Sequence, residues 1–294
     1  MKSAGKPDGH SGPNHTTGTL YLVGTPIGNL EDITLRALRV LREVDLIACE
    51  DTRQTQKLLN HYEIETPATS YHEHNEMTRA PELVLRLEEG ARIALVSDAG
   101  MPGISDPGYR LVVLCIRHNI TVTPVPGPSA VVASLVASGL PTDSFQFFGF
   151  LPAKKTARRK FLEQLRESSS TSILFESPHR VMESLEDILD VLGDRPTVLA
   201  RELTKVHEEY VRGKCSSVLE ELRKRSSVPG EITMLIAAAG EEQSHAVHSQ
   251  PLKDRVDELM QQQSLTRMEA LKAVARERHI SKRQAYREFE ARDK

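Results

Sequence analysis

The feature that most constrains this sequence is a recurring unit. A short apolar run leads into a loop rich in glycine and proline, and the loop leads into a stretch of helical period. Thr19-Leu20-Tyr21-Leu22-Val23 reads as a buried strand from its β-branched and aromatic content. Gly24-Thr25-Pro26-Ile27-Gly28-Asn29 follows, then a predicted helix with Leu35, Leu38 and 41–44 on one face. Residues 45–49 predict the next strand. The alternation continues with a helix over 79–89 that Gly90 caps, a strand over 92–97, a helix over 109–118 and a strand over 120–125. Pro126-Gly127-Pro128-Ser129 then opens a helix over 130–138. Strands separated by helices pair in parallel through crossovers, so the fold class is α/β with a mostly parallel sheet.

The pattern resumes after Gly139-Leu140-Pro141-Thr142-Asp143, with strands over 145–149, 172–176, 197–201 and 231–238. Helices are predicted over 158–167, 180–192 and 216–225, with a hairpin-like segment at 210–214. The expected organisation is a disordered tail over 1–17, α/β domains over 18–140 and 141–240, a polar linker over 241–250 and a helical extension over 251–294. In the extension a first helix spans 252–262. Ser264 is expected to cap a second, with Leu265, Met268, Leu271, Val274 and Ala275 on one face. Ser281 caps a third, with Ala285, Tyr286 and Phe289 facing inward and Lys282, Arg283 and Arg287 available. That pattern suggests a helix-turn-helix, and a docking or dimerisation hairpin fits it too.

With 294 residues, 39% hydrophobic and 27% charged, the chain is long enough for two cores and too apolar to be disordered. No apolar run approaches the ~18 residues of a membrane helix, and 1–18 contains no apolar core of a secretory signal. Cys49, Cys115 and Cys215 lie far apart without a CxxC pair. A disulfide framework or zinc ribbon is therefore not expected, and a cytoplasmic protein is. The net charge of −3 is unevenly spread. Residues 151–166 hold six basic side chains against Glu163, 6 − 1 = +5, and 251–294 hold 11 − 8 = +3, which leaves −11 for the rest. A polyanion is expected at those two places.

The chemistry concentrates in loops. Gly24–Gly28 matches neither the P-loop nor the dinucleotide fingerprint. The segment 97–108, SDAGMPGISDPG, packs three glycines, two prolines and two aspartates directly after a buried strand. Ligands of open α/β sheets bind at strand C-termini, and glycines let backbone groups approach them. Asp98 suits ribose hydroxyls or an ammonium group. Residues 126–130 end at a helix N-terminus, where free N–H groups can hold a polar ligand. Polar clusters flank these loops at 50–53, 71–76, 176–180 and 201–209. His72 and His74 make a weak metal signal, and no metal is expected.

Taken together, LYLVGTPIGNLEDITLRAL (20–38), EDTR (50–53), SYHEHNE (70–76), LVSDAGMPGISDPG (95–108), PVPGPSA (124–130), FESPHR (175–180), ARELTKVHEE (200–209) and PGE (229–231) resemble the 16S rRNA cytidine 2′-O-methyltransferases, a branch of the tetrapyrrole methylase superfamily. The likeness covers about 18–240, and the C-terminal segment resembles that family's helix-turn-helix extension. The long N-terminal tail departs from it. The resemblance implies two α/β domains with S-adenosylmethionine in the cleft between them, a homodimer, and 16S rRNA or the 30S small subunit as partner, with no membrane. Cofactor contacts carried over by motif are Ile27, Asp98, Gly100, Met101, Gly103, Ile104, Ser105, Ser129 and Ala130, with others near Phe175 and 233–237. Methyl transfer to a ribose hydroxyl benefits from alignment and from a base or cation near the oxygen. His72, Arg53, Glu176 and Lys205 are the expected catalytic residues, with His74 and Arg201 also considered. Lys154, Lys155, Arg158, Arg159, Lys282 and Arg283 are expected to hold phosphates. Two rival readings are a methylase of a small macrocycle and a nucleic-acid-binding regulator that senses a nucleotide-like ligand.

Overall fold

The structure, a computed structural model, describes residues 17–240, 252–263, 265–277 and 280–290. All but Thr17 of the tail expected over 1–17, the linker over 241–250 and the cap at Ser264 lie outside the described residues. The chain divides into two compact units. The first comprises residues up to 138 with 200–210 and 230–233, and the second 139–199, 211–229 and 234 onward. Two short segments expected with the second domain thus cluster with the first.

The first unit is built on β1 (Thr19–Val23), β2 (Leu46–Cys49), β3 (Ala68–Ser70), β4 (Arg92–Val96) and β5 (Thr121–Val125), in the order β3-β2-β4-β1-β5. Every pairing is parallel, as the alternation requires. Both faces are apolar. Val23, Ile47, Cys49, Ala94 and Val96 join one cluster, and Leu20, Leu46, Ala48, Ile93 and Leu95 the other. Successive strand residues point to opposite faces, so a sheet covered on both sides needs continuous apolar runs, as here. The helices are α1 (Leu35–Glu43), α2 (Thr52–His61), α3 (Glu76–Glu88), α4 (Tyr109–Arg117) and α5 (Ala130–Ser138).

Local chemistry sets the helix ends. Thr34 caps α1 through its side chain, which accepts from Ala37 N–H at 3.1 Å. The buried face of α1 is Ala37, Val40 and Leu41, whereas Leu35 is 86% exposed, contrary to the sequence reading. Gly90, at φ +97°, ends the turn after α3. Its N–H donates to Leu87 O and Ala91 N–H to Arg86 O, the bond pair of a left-handed cap. The sequence reading missed α2 and β3. Asp51 caps α2 by accepting from Arg53 N–H at 2.8 Å, and Thr55, Leu58 and Leu59 form its buried stripe.

The second sheet has β6 (Phe145–Phe150), β7 (Thr171–Glu176), β8 (Pro196–Arg201), β9 (Glu209–Lys214) and β10 (Ile232–Ile236), in the order β6-β7-β10-β8-β9. The segment read as hairpin-like is the edge strand β9. Its helices are α6 (Lys155–Gln164), α7 (Val181–Leu192) and α8 (Cys215–Arg223). The extension forms α9 (Leu252–Gln263), α10 (Arg267–Glu277) and α11 (Lys282–Glu290). These three share a core of Leu252, Val256, Leu259, Leu271, Val274 and Phe289, among others. The observed cap of α10 is Thr266, whose N–H and hydroxyl both donate to Glu269 Oε2, at 2.9 and 2.6 Å. Met268 and Tyr286, expected on the inner faces, are 56% and 46% exposed. Among the described residues no helix is long and apolar enough to cross a membrane.

Candidate active site

Because β1 lies between β4 and β5, the loops that leave these three strands emerge side by side. Backbone bonds join them. Gly24 N–H donates to Val125 O at 3.1 Å, and Thr25 and Gly100 exchange both of their bonds, at 2.9 and 3.0 Å. The buried Thr25 hydroxyl donates to Ser97 O at 3.1 Å. Sequence reasoning passed over Thr25, although it sits between Gly24 and Pro26 at the strand's end.

The glycines of these loops have a steric reason. A Cβ on Gly24 would lie 2.7 Å from Gly127 Cα and 2.7 Å from Met101 Sδ, and a Cβ on Gly127 would lie 2.8 Å from Gly24 Cα. No real Cβ packs against backbone so closely. Gly100 and Gly103 take φ +81° and +84°, and Ser105 holds φ +63° without being glycine. Ile27 is 8% exposed and lies against Gly100. Met101 is half-buried, whereas Ile104 is 51% exposed. Ser129 O accepts from Ala133 N–H at 2.9 Å, so α5 starts at Ser129-Ala130 as expected.

Four carboxylates meet beside these loops. Asp51 N–H donates to Asp98 Oδ1 at 3.2 Å. Burial raises the pKa of Glu50, and Asp106, Asp98 and Asp51 add repulsion. Burial also raises that of Asp106; a hydrogen bond from Ser97 opposes the rise and Asp98 adds to it. Asp51 is held down to about 2 by the Arg53 side chain. The cluster therefore carries negative charge that a cationic ligand would relieve. Glu50 and Asp106 were not among the expected site residues; their signal was position, one directly after β2 and the other in the loop after β4.

The expected catalytic residues scatter. Arg53 points into solvent with its side chain 87% exposed and forks onto Asp51, at 3.0 and 2.7 Å. His72 is held in its loop by Asn75. Asn75 Oδ1 accepts from His72 N–H at 2.9 Å, and Asn75 Nδ2 donates to Ser70 O at 3.3 Å, which fixes the amide's orientation. The same nitrogen lies 3.3 Å from His72 Nε2. Asn75 Nδ2 also lies 3.3 Å from Ser70 Oγ, so its two hydrogens face three acceptors, and His72 Nδ1 is buried without a hydrogen-bond partner among the described residues. His74 stands edge-on to His72, 6.0 Å away. Lys205 pairs with Glu202 at 2.9 Å and Glu231 at 3.3 Å. Burial pulls its pKa down, but the two carboxylates outweigh that and hold it above the usual lysine value. It is a fixed cation, not a base. A Cβ on Gly28 would lie 2.5 Å from Lys205 Cγ, so this cation abuts the first loop. Its own loop is strained, with Glu202 and Thr204 at φ +51° and +65°. Arg201 pairs with Glu209 at 3.1 Å.

Glu176 corrects the sequence reading. It is 2% exposed and saturated by Ser184 Oγ, Ser177 N–H and Arg180, at 2.5, 2.6 and 2.8 Å. It anchors the turn into α7 and touches no open site.

Arg158 is a second correction. It is wholly buried and donates to Asp187 at 2.8 Å and Glu183 at 3.3 Å. It therefore meets no phosphate. Arg159 is partly exposed, with its charge taken by Asp190 and Asp187, at 2.6 and 3.3 Å. The facing carboxylates of α7 reduce the +5 of 151–166 to +5 − 3 = +2. Lys154 and Lys155 are exposed, as are Lys282 and Arg283 of α11.

Comparison with known proteins bears on these loops. The model of the tetrapyrrole (corrin/porphyrin) methylases matches residues 19–219. A ribosomal RNA small subunit methyltransferase I of Halalkalibacterium halodurans is 54% identical over 76% of this chain and 77% of its own length. One from Synechocystis is 46% identical over 92% of this chain and 96% of its own. The crystal structure of a uroporphyrin-III C-methyltransferase from Thermus thermophilus shares the fold, with a TM-score of 0.54 at 20% identity, over 75% of this chain and 94% of that one.

Proposed function

The chain belongs to the tetrapyrrole methylase family, among the ribosomal RNA small subunit methyltransferases I, and from that premise we propose that it methylates the 2′-hydroxyl of a cytidine in 16S rRNA, using S-adenosylmethionine. The observation that carries this reading is the triple-loop cradle beside the carboxylate cluster. S-adenosylmethionine supplies, when bound, a methyl group on a positively charged sulfonium. The cradle fits it: Gly24 and Gly127 leave backbone where any side chain would intrude, Gly100 takes a φ of +81°, and Asp98, Glu50 and Asp106 suit its cationic groups. Ile27 and Met101 offer apolar surface for its adenine, and Gly103, Ile104, Ser105, Ser129 and Ala130 complete the contacts.

The chain's own work is alignment more than proton transfer. Lys205, kept charged by Glu202 and Glu231, favours the developing alkoxide, and Arg53 is a second cation free to swing from Asp51. Glu176 takes no part. The substrate is read as the 30S subunit or its rRNA in the cytoplasm, by a homodimer.

Lys154, Lys155, Lys282 and Arg283 remain the phosphate contacts. Charge removal at Lys154 and Lys155 together is expected to lower the salt slope of RNA binding by about 1.4, from about 0.7 per single-strand phosphate contact. An unchanged slope withdraws both residues. The reading as a whole is tested by incubating labelled S-adenosylmethionine with 30S subunits, free 16S rRNA and uroporphyrinogen in parallel. Label in the rRNA supports it. Label confined to the macrocycle replaces it with the small-molecule reading.

A further inference from the structure

The edge of the second sheet carries aromatic surface apart from the three loops of the cradle. In β6, Phe145, Phe147 and Phe150 face one way, while Phe148 packs the other way against Phe161 of α6, with ring centroids 5.5 Å apart. The register of β6 on β7 slips between Phe147 and Phe150. Phe147 pairs with Ile173 and Phe150 with Phe175, so three residues of β6 span two of β7. This bulge, with Gly149 at φ +68°, turns Phe150 back onto the face of Phe147. Both rings then meet Phe175 edge-on, at 4.8 and 5.6 Å. Phe150 is nevertheless 59% exposed. Phe145 is 44% exposed on the same strand. Lys154 and Lys155, exposed and with no carboxylate partner among the described residues, follow Phe150 by four and five positions.

We propose that Phe150 is a stacking platform for an unpaired nucleobase of the RNA substrate, with Lys154 and Lys155 holding the adjoining phosphates. The inference rests on the rRNA reading and adds to it a place where a base is read by its flat face. The chemistry favours a single-stranded nucleic acid over a second copy of this chain. An exposed aromatic ring beside uncompensated cations suits a base joined to its phosphates. A self-complementary contact between copies would instead bring the lysines of both toward each other.

The chain contains no tryptophan, so Phe150→Trp creates a single fluorescent reporter at the platform. Oligocytidylate should quench it saturably, and an abasic oligomer of equal length should bind without quenching. Phe150→Leu keeps apolar bulk and loses the π-face. It is expected to weaken oligocytidylate binding about tenfold, raising KM for rRNA with kcat retained, while Phe150→Trp binds as wild type. Oligocytidylate binding without quenching overturns the proposal, and so does equal affinity of Phe150→Leu and wild type for oligocytidylate. If Phe150→Leu turns a dimer into a monomer with RNA affinity intact, the face is an interface between copies and the proposal fails. Wild-type methyl transfer to rRNA, measured alongside, separates these failures from failure of the functional reading.

Discussion

Replacing Gly24 by alanine is expected to lower kcat/KM about a hundredfold while leaving a folded protein. The new Cβ would lie 2.7 Å from Gly127 Cα. Relieving that contact pushes the loops after β1 and β5 apart by close to an ångström, and a misplacement of that size costs about two orders of magnitude in an aligned displacement. Gly127→Ala should behave alike, since its Cβ meets Gly24 Cα at 2.8 Å. Gly139→Ala is the control. It has a positive φ, of +81°, and nothing lies within 4 Å of its Cβ. It should cost about 1 kcal/mol of stability and leave S-adenosylmethionine affinity unchanged. Calorimetric titration of the three variants reads the difference directly. Wild-type affinity in Gly24→Ala would remove the cradle from the cofactor site.

Asp187→Ala is expected to be the most destabilising single substitution of a charged residue described here. Arg158 has a side chain 1% exposed and Asp187 one 3% exposed, at 2.8 Å from each other. Removing the carboxylate strands a buried guanidinium, which costs about 3–5 kcal/mol and lowers Tm by roughly 10 °C. Replacing both partners together with apolar residues, Arg158→Met with Asp187→Leu, should be far milder because no charge is left unpaired. Arg158→Met alone should lower Tm with RNA binding unchanged, as a buried ion pair requires; weaker RNA binding at unchanged Tm would contradict that placement.

The contrast between these two sites shows what the sequence made legible. The loops are local: glycines and prolines stand beside the strands that they terminate, so the three loops and their strands could be read directly, whereas α2 and β3 were missed. The Arg158–Asp187 pair joins residues 29 positions apart, and a charge count along the chain sees only one half of it. A hint was present in the phase of α6, where Arg158 and Leu162 are the buried residues and lie one helical turn apart. Glu176 was misread for a similar reason. It ends β7 like a site residue, but its partner Ser184 comes from α7. His72 could be found by motif, whereas its contacts with Asn75 form only in the folded loop. The carboxylate cluster needed the strand order β2-β4 to bring Asp51 beside Asp98.

The most direct test identifies the methylated nucleoside. Small subunits lacking the modification would be incubated with the protein and S-adenosylmethionine, and their 16S rRNA digested to nucleosides for mass spectrometry. The expected product is 2′-O-methylcytidine, formed by the wild type and absent with Asp98→Ala. A methyl group on a base instead of a ribose, or none in rRNA despite S-adenosylmethionine binding, would contradict the proposed ribose chemistry.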